Sequence, residues 1–229
     1  MAARRSTFGV LIAVAAYGVG ALAALLAALI VAYAFVTPVS TLMLGRMVLG
    51  KSVQRSYVPL ADIAPVLVAS VIASEDARFC QNWGVEWGAL KQVIDEAGVR
   101  GPRRGASTIT MQTAKNLFLW PGRSALRKAI EIPIALVLGL VWSKARVMKV
   151  YLNIAEWGDG VFGAEAASQL YFHKSASRLN AGEAALLASA LPNPIKRNPE
   201  RPRAFQRRMA DTIAARAASS GELLTCLPR

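Results

Sequence analysis

The chain has 229 residues, of which 54% are hydrophobic, and its formal net charge is +13 at pH 7. This length suits one folded domain with an appendage and is enough to bury a real core. The two cysteines are too few for a disulfide framework. The single histidine, His173, argues against a zinc site and, without a Gly-x-Ser-x-Gly turn, against a serine hydrolase.

An uncharged stretch, Phe8–Val36, opens the chain after Arg4 and Arg5. It is longer than the roughly 20 apolar residues that a helix needs to cross a bilayer. Because basic residues stay on the cytoplasmic side, residues 1–7 are predicted to be cytoplasmic and 8–36 to be a transmembrane anchor. A cleaved signal peptide ending near Ala32-Tyr33-Ala34 is the alternative, although its apolar part would be only about 7–15 residues long.

The rest of the chain predicts a mainly α domain, since strand signals are weak everywhere. Residues 37–55 resemble a short connector. The run Ile132–Trp142 is too short to span a membrane and is predicted to be a buried helix. Helices are predicted at Leu60–Ser74, Gly84–Val99, Ser107–Leu119, Arg127–Asn153, Ala164–Tyr171, Asn180–Leu191 and Ala204–Ser219.

The positive charge is clustered. Nucleic acid is the usual partner of such a charge, but the sequence has no nucleic-acid-binding module. A domain held outside the cytoplasm beside a membrane would instead meet anionic lipids or an anionic lipid-linked substrate. Part of the charge is also expected to be an ordinary solvated surface. The clusters are Arg100, Arg103 and Arg104; Arg123, Arg127 and Lys128; and Lys196–Arg208.

Two segments combine residue types that suit catalysis on a phosphorylated sugar. Glu75 and Asp76 end an apolar helix, where burial can tune the proton affinity of a carboxylate. The segment Gly105–Gln112, followed by Lys115 and Asn116, suits a loop and helix start that attract anions. The plainer interpretations are a solvated helix end and an ordinary helix cap.

Two further segments are weaker by themselves. Arg127 and Lys128 lie one turn before Glu131, which predicts an ion pair within a helix. Tyr151–Asn153, followed by Glu156 and several glycines, is typical of a structural turn. Together with the first two segments they indicate acid–base chemistry at a sugar, with cations to stabilise a phosphate leaving group.

In their order along the chain, these motifs resemble the peptidoglycan glycosyltransferase family in its monofunctional, membrane-anchored form. The same module forms the N-terminal half of bifunctional penicillin-binding proteins. The resemblance covers about Ser56–Pro194, within a domain predicted at 56–220 and followed by a tail at 221–229. Two departures stand out: Asn82 where the family usually has His, and Met111 where it usually has the first of two Gln. The matching residues are Glu75, Asp76, Phe79 and Gly84; Gly105–Thr110, Gln112, Lys115 and Asn116; Arg127, Lys128 and Glu131; and Tyr151–Asn153.

The resemblance implies a lysozyme-like α-helical domain with a smaller membrane-proximal lobe. It implies polymerisation of lipid II, with inversion at the anomeric carbon and undecaprenyl pyrophosphate as the leaving group. Glu75 would be the general base, and Glu131 would act on the donor side. The implied substrate-binding residues are Asp76, Ser107, Thr108, Gln112, Lys115, Asn116, Arg123, Arg127 and Lys128.

The resemblance also sets expectations about partners and location. The partners would be lipid II, lipid-linked glycan, the membrane and proteins of cell wall synthesis or division, but not nucleic acid. The location would be the bacterial inner membrane, with the catalytic domain in the periplasm. No metal cluster is visible in the sequence, and a divalent cation, magnesium or manganese, that accompanies the pyrophosphate stays open. Without a transpeptidase domain, the chain is expected to be insensitive to β-lactams.

Two other functions would also account for part of the sequence. A glycan-cleaving hydrolase of the same broad fold would have no pyrophosphate to bind, so the cations at 115–128 argue against it. A membrane-anchored scaffold that keeps the motifs but lacks activity is disfavoured by the intact Glu75.

Overall fold

The computed structural model describes residues 2–97, 107–122, 124–219 and 221–227. Contacts within the chain divide it into two compact units, Met1–Thr37 and Pro38–Arg229. The first unit is a single helix, α1, at Ala2–Phe35. Its part Phe8–Phe35 has a mean hydropathy of 2.4 and is long and apolar enough to cross a membrane.

The second unit is mainly helical, which confirms the predicted fold class. Its described helices are α2 Thr41–Val48, α3 Pro65–Glu75, α4 Trp87–Ala97, α5 Ile109–Phe118, α6 Ala125–Val141, α7 Lys144–Ile154, α8 Ala164–Phe172, α9 Ala181–Ala190 and α10 Ala204–Ser219. Its described strands are β1 Gln54–Arg55, β2 Glu156–Gly158 and β3 Val161–Phe162, and short 3₁₀ turns lie at Leu60–Asp62, Ala176–Arg178 and Gly221–Leu224.

Helix α3 is the central helix of the second unit. Pro65 opens it in the first turn, where a missing N–H costs nothing. Every residue from Leu67 to Ala73 is buried, because α9 and α10 pack against α3 and against each other. Each large apolar side chain buried here contributes about 1.5–3 kcal/mol relative to an exposed one. The end of α3 is therefore held firmly, and Glu75 and Asp76 lie at that end.

A second group of helices has α5 at its centre, packed against α6 and α7. The prediction of one continuous helix over Arg127–Asn153 is wrong, because the chain leaves helical geometry at Trp142. Ser143 then caps α7, and its hydroxyl accepts a hydrogen bond from the backbone N–H of Arg146 at 3.1 Å.

Helix α6 is only partly buried, contrary to the expectation for Ile132–Trp142. Ile134, Ala135 and Leu138 face the interior. Val137, Leu140 and Val141 are exposed, as are Leu126 and Ile130 in the preceding turns. The helix therefore carries an exposed apolar face opposite its buried one.

The short strands form one sheet in the order β1-β3-β2, with β1 parallel and β2 antiparallel to β3. Nearby, the Asn153 side chain donates to the carbonyl of Val58 and accepts from its N–H, both at 3.0 Å. The last residue of the Tyr151–Asn153 motif thus fastens the start of the domain to α7.

Cys80 and Cys226 form a disulfide, with their Cα atoms 5.4 Å apart. The sequence alone left this pairing open. The bond joins the loop after α3 to the C-terminal segment across 146 residues of sequence.

Candidate active site

Glu75 is the last residue of α3, and its two carboxylate oxygens are bound by neutral donors. Oε1 accepts from the Ser74 hydroxyl at 3.0 Å, and Oε2 accepts from Nε2 of Gln112 at 2.8 Å. Burial raises the pKa of the Glu75 carboxyl, whereas these two hydrogen bonds and the charges of Lys115 and Arg197 lower it. Because burial is the largest cause, the pKa lies above its ordinary value. Glu75 is therefore a carboxylate that can accept a proton.

A buried tyrosine fixes the orientation of Gln112. The hydroxyl of Tyr151, which is 1% exposed, donates to Oε1 of Gln112 at 3.1 Å. Since this carbonyl oxygen is occupied, the NH₂ group of the amide faces Glu75. The first residue of the Tyr151–Asn153 motif thus acts on Glu75 through Gln112.

Asp76 follows Glu75 in the chain, and its carboxylate binds the start of α5. Its Oδ2 accepts from the backbone N–H of Ile109 at 3.1 Å, and Nδ2 of Asn82 reaches its two oxygens at 3.0 and 3.2 Å. Burial raises the pKa of Asp76 to about 6, although these hydrogen bonds and the charge of Lys144 lower it. Asp76 thus joins the end of α3 to the first turn of α5.

Asn82, one of the two departures from the family pattern, is the centre of this network. Besides Asp76, its side chain accepts from the N–H of Gly84 at 3.0 Å. Nζ of Lys144 donates to the Asn82 carbonyl at 2.6 Å and lies 4.5 Å from the centroid of the Phe79 ring. Asparagine at this position therefore supplies both a donor for Asp76 and an acceptor for Gly84.

Gly84 is required by its surroundings. Its φ is +105°, and a Cβ there would lie 2.3 Å from the carbonyl oxygen of Ala135. Its own carbonyl accepts from the Thr108 hydroxyl at 2.6 Å. The loop after Asp76 thus packs against both α6 and the start of α5.

Helix α5 begins at a threonine cap, since the Thr108 hydroxyl also accepts from the N–H of Met111 at 3.0 Å. Met111, the second departure, is fully buried. Only Gln112 of this pair reaches Glu75, so the substitution at 111 leaves the contact with the carboxylate in place.

Glu131 is a carboxylate of a different kind, 1% exposed on the buried face of α6. It forms ion pairs with Arg127 one turn before it and with Lys128, whose Nζ is 2.6 Å from Oε1. The Lys128 Nζ also donates to the Ser107 hydroxyl at 2.8 Å. Both oxygens of Glu131 are therefore engaged by cations.

Two clefts meet at Ser107. One, of about 480 Å³, is lined by Glu75, Asp76, Arg78, Glu86, Ser107 and Thr108, among others. The other, of about 280 Å³, is lined by Ser107, Gln112, Lys115, Asn116, Arg127 and Glu131, among others. Burial lowers the pKa of Lys115, which the nearby Glu131 charge raises in part. The first cleft holds the Glu75 carboxylate, and the second is rich in cations.

The structure places most of the sequence-derived site residues around these two clefts. Arg123 lies outside the described residues, as do Gly105 and Ala106 and the cluster at Arg100, Arg103 and Arg104. Sequence reasoning did not assign a role to Tyr151 or Ser74 and did not select Lys144. Tyr151 belongs to the Tyr151–Asn153 motif and could have been selected from it. No sequence pattern links Lys144 to Asp76.

Metal-binding groups are sparse. Among the described residues, no three His, Cys, Asp or Glu side chains come together in a way that could hold a metal ion. The second cleft instead presents cations, which suit an anionic ligand.

Comparison with known proteins finds one family profile and several relatives that match most of the chain. The profile of the Transglycosylase family matches residues 42–217. The biosynthetic peptidoglycan transglycosylase of Brucella suis biovar 1 (strain 1330) is 54% identical over 193 residues, which are 84% of this chain and 86% of the relative. Proteins with the same name in Rhizobium meliloti (strain 1021) and Rhodospirillum centenum (strain ATCC 51521 / SW) are 51% and 52% identical, over 84% and 86% of this chain and 82% and 86% of their own length.

Proposed function

Since the chain belongs to the transglycosylase family, we propose that it is a peptidoglycan glycosyltransferase that polymerises lipid II during cell wall synthesis. The observation that carries this proposal is the Glu75 carboxylate, held by neutral donors beside a cleft rich in cations. A base and an anion-binding cleft are the two parts that sugar transfer from a pyrophosphate requires.

In the proposed reaction, the 4-hydroxyl of the acceptor sugar attacks the anomeric carbon of the donor. Glu75 takes the proton of that hydroxyl as the new C–O bond forms. The bond from the anomeric carbon to the pyrophosphate oxygen breaks, and undecaprenyl pyrophosphate leaves with its electron pair. Attack from the face opposite the leaving group inverts the anomeric carbon. The raised pKa of Glu75 suits this role, because a base is most effective when its pKa lies near the working pH.

The second cleft is proposed to hold the donor pyrophosphate. Lys115 lines it together with Arg127, and the Lys128–Ser107 hydrogen bond closes one side. Glu131 would hold Arg127 and Lys128 in place, since its two oxygens pair with these two cations. Asn116 and Gln112 line the same cleft, and Thr108 sets the start of α5. The assignment of Arg123 as a further phosphate ligand stays a prediction.

A divalent cation does not fit as a protein-held cofactor at this cleft. Glu131 is the one carboxylate among the described residues that line this cleft, and it is engaged by Arg127 and Lys128. A magnesium or manganese ion would therefore have to arrive on the pyrophosphate oxygens, which is the usual manner in which magnesium binds with phosphates.

We place the protein at the bacterial inner membrane, with α1 as a single-pass anchor and the N-terminus in the cytoplasm. The length and apolar character of Phe8–Phe35 support the anchor. The Cys80–Cys226 disulfide supports an oxidising compartment for the domain, as the periplasm is. The exposed apolar face of α6, which includes Leu126 and Leu140, suits contact with lipid. Proteins of cell wall synthesis or division are proposed partners on the family resemblance alone.

The proposal is tested with the full chain in detergent and labelled lipid II, comparing wild type, Glu75→Gln and the control Glu200→Gln. Glu200 is exposed and lines neither cleft. Wild type and the control should make polymer, and Glu75→Gln should lose about 10²–10⁴-fold in rate. Polymer from Glu75→Gln at the wild-type rate would refute the base assignment. Absence of polymer from wild type, or cleavage of preformed glycan, would refute the function.

A further inference from the structure

A third cleft, of about 470 Å³, lies along α10, apart from the two already described. Its lining includes Phe205, Arg208, Met209, Ile213 and Arg216, which recur at helical spacing along one face of α10. Its volume is in the range of ordinary ligand pockets, about 300–1,000 Å³. Among the described residues, none of those that line it is acidic.

The cleft adjoins the proposed base. Ser74 is part of its lining, and the Ser74 hydroxyl donates to Oε1 of Glu75 at 3.0 Å. Arg197, whose guanidinium lies 5.6 Å from the centroid of the Phe205 ring, is close enough to lower the pKa of Glu75. A substrate whose sugar reaches Glu75 would therefore have this cleft within reach of its other groups.

The chemistry of the cleft is cationic at its rim and apolar along its wall. Arg208 is exposed, and its guanidinium makes no hydrogen bond or ion pair with any residue in the part of the chain that the structure describes. Met209 and Ile213 supply apolar surface beside it. Guanidinium groups bind carboxylates through paired N–H donors. The cleft thus suits a short chain with small apolar groups and a free carboxylate.

We propose that the α10 cleft binds the peptide carried by a peptidoglycan precursor while its sugar lies at Glu75. This inference rests on the proposed function and adds a specificity site to it. Any such peptide ends in a carboxylate, and Arg208 is the group placed to receive it. The lining of this cleft includes Ser74, which donates to Glu75, so a molecule whose sugar lies at Glu75 is the favoured occupant, and a substrate peptide fits better than a lipid surface.

The test compares wild type, Arg208→Gln and the matched control Arg203→Gln in the full chain. Arg203 is also exposed, and it does not line the cleft. Each protein is assayed with lipid II whose peptide carboxylates are free and with lipid II whose peptide carboxylates are amidated. We expect Arg208→Gln to raise KM for the free acid about 5- to 10-fold, with kcat unchanged and little effect on the amidated substrate. The control should match wild type on both substrates.

Equal KM values for Arg208→Gln and Arg203→Gln, or an equal rise on both substrates, would overturn the proposal. Binding to phosphatidylglycerol vesicles is measured in parallel. Weaker vesicle binding by Arg208→Gln than by the control, with no change in the KM ratio of the two substrates, would assign the cleft to lipid instead. A thermal melt of each variant confirms folding, and Arg208→Lys should restore part of the lost affinity. Failure of wild type to polymerise either substrate would refute the proposed function and this inference with it, whereas an unchanged KM ratio in an active enzyme would refute this inference alone.

Discussion

The two carboxylates of the site, Glu75 and Glu131, occupy opposite environments. Glu75 accepts from the neutral groups of Ser74 and Gln112, and burial raises its pKa. Glu131 is more buried than Glu75, yet two cations, Arg127 and Lys128, engage it. Burial alone therefore does not decide what a carboxylate can do. The charge of its partners also matters, since Glu75 accepts from neutral donors whereas Glu131 holds two cations in place.

The largest effects should come from neutralising each carboxylate in turn. Glu75→Gln should lower the polymerisation rate about 10²–10⁴-fold. It should leave stability equal or higher, because the folded state disfavours the charge that the substitution removes. Glu131→Gln should lower stability by about 3–5 kcal/mol, because it leaves the buried Arg127 without its counter-charge. Denaturant unfolding and polymerisation rates, measured on the same preparations, separate the two outcomes. Equal loss of stability in both variants would contradict the conclusion that Glu75 and Glu131 occupy opposite environments.

The disulfide lies in the segment that follows Glu75 and is separate from the ion pairs of Glu131. Cys80 is in the loop between Asp76 and Asn82, whereas the ion pairs of Glu131 lie within α6. Reduction, or the double substitution Cys80→Ala and Cys226→Ala, should lower the free energy of unfolding by about 2–5 kcal/mol. The double variant should no longer respond to reductant in a thermal melt. A wild-type melting temperature that reductant does not change would show that the bond contributes nothing.

Asp76 should make the free energy of unfolding depend on pH. Its pKa is raised from 3.8 to about 6 in the folded chain, so between these values the folded state holds a proton that the unfolded state has released. The stabilisation is fully present below pH 4 and is lost as the pH rises through about 6. It amounts to about 3 kcal/mol for a shift of this size. Asp76→Asn should remove it.

The check is denaturant unfolding of wild type and Asp76→Asn at pH 4 and pH 7. The stability of wild type relative to the variant should fall between these pH values. Parallel behaviour of the two proteins would mean that Asp76 keeps an ordinary affinity for its proton.

The sequence predicted the mainly helical fold, and it predicted α10 with its observed bounds, because the apolar spacing of that helix is regular. It missed the break between α6 and α7. The apolar run continues to Trp142, and only the Ser143 cap marks the new start. A local cap thus outweighed a pattern that extends over many residues.

Part of the candidate site could also be predicted from the sequence, and part could not. The ion pairs of Glu131 could be predicted, since Arg127 and Lys128 lie one helical turn away on the same helix. The direction of the pKa shift at Glu75 could not, because the donor Gln112 and the opposing cations Lys115 and Arg197 come from other segments of the chain. The link from Lys144 to Asp76 through Asn82 likewise depends on packing across distant positions.

The smallest expected effect tests whether the neutral partners of Glu75 are themselves held in place. Tyr151→Phe removes the hydroxyl that occupies Oε1 of Gln112 and frees the amide to turn away from Glu75. If the amide turns away, the hydrogen bond from Gln112 to Glu75 is lost. The pKa of Glu75 should then rise further, because this hydrogen bond stabilises the charged form. The acid limb of the pH–rate profile should therefore move to higher pH, and the rate measured on that limb should fall.

The matched control for this substitution is Tyr171→Phe. It removes a hydroxyl that donates to the Trp157 carbonyl, and Tyr171 lines neither of the first two clefts. It should leave the pH–rate profile unchanged. If Tyr151→Phe lowered the rate equally at every pH, the tyrosine would act on packing alone. A moved acid limb would instead mean that the amide orientation sets the proton affinity of Glu75. The environment of the base would then extend from Glu75 through Gln112 to a residue that lies on α7.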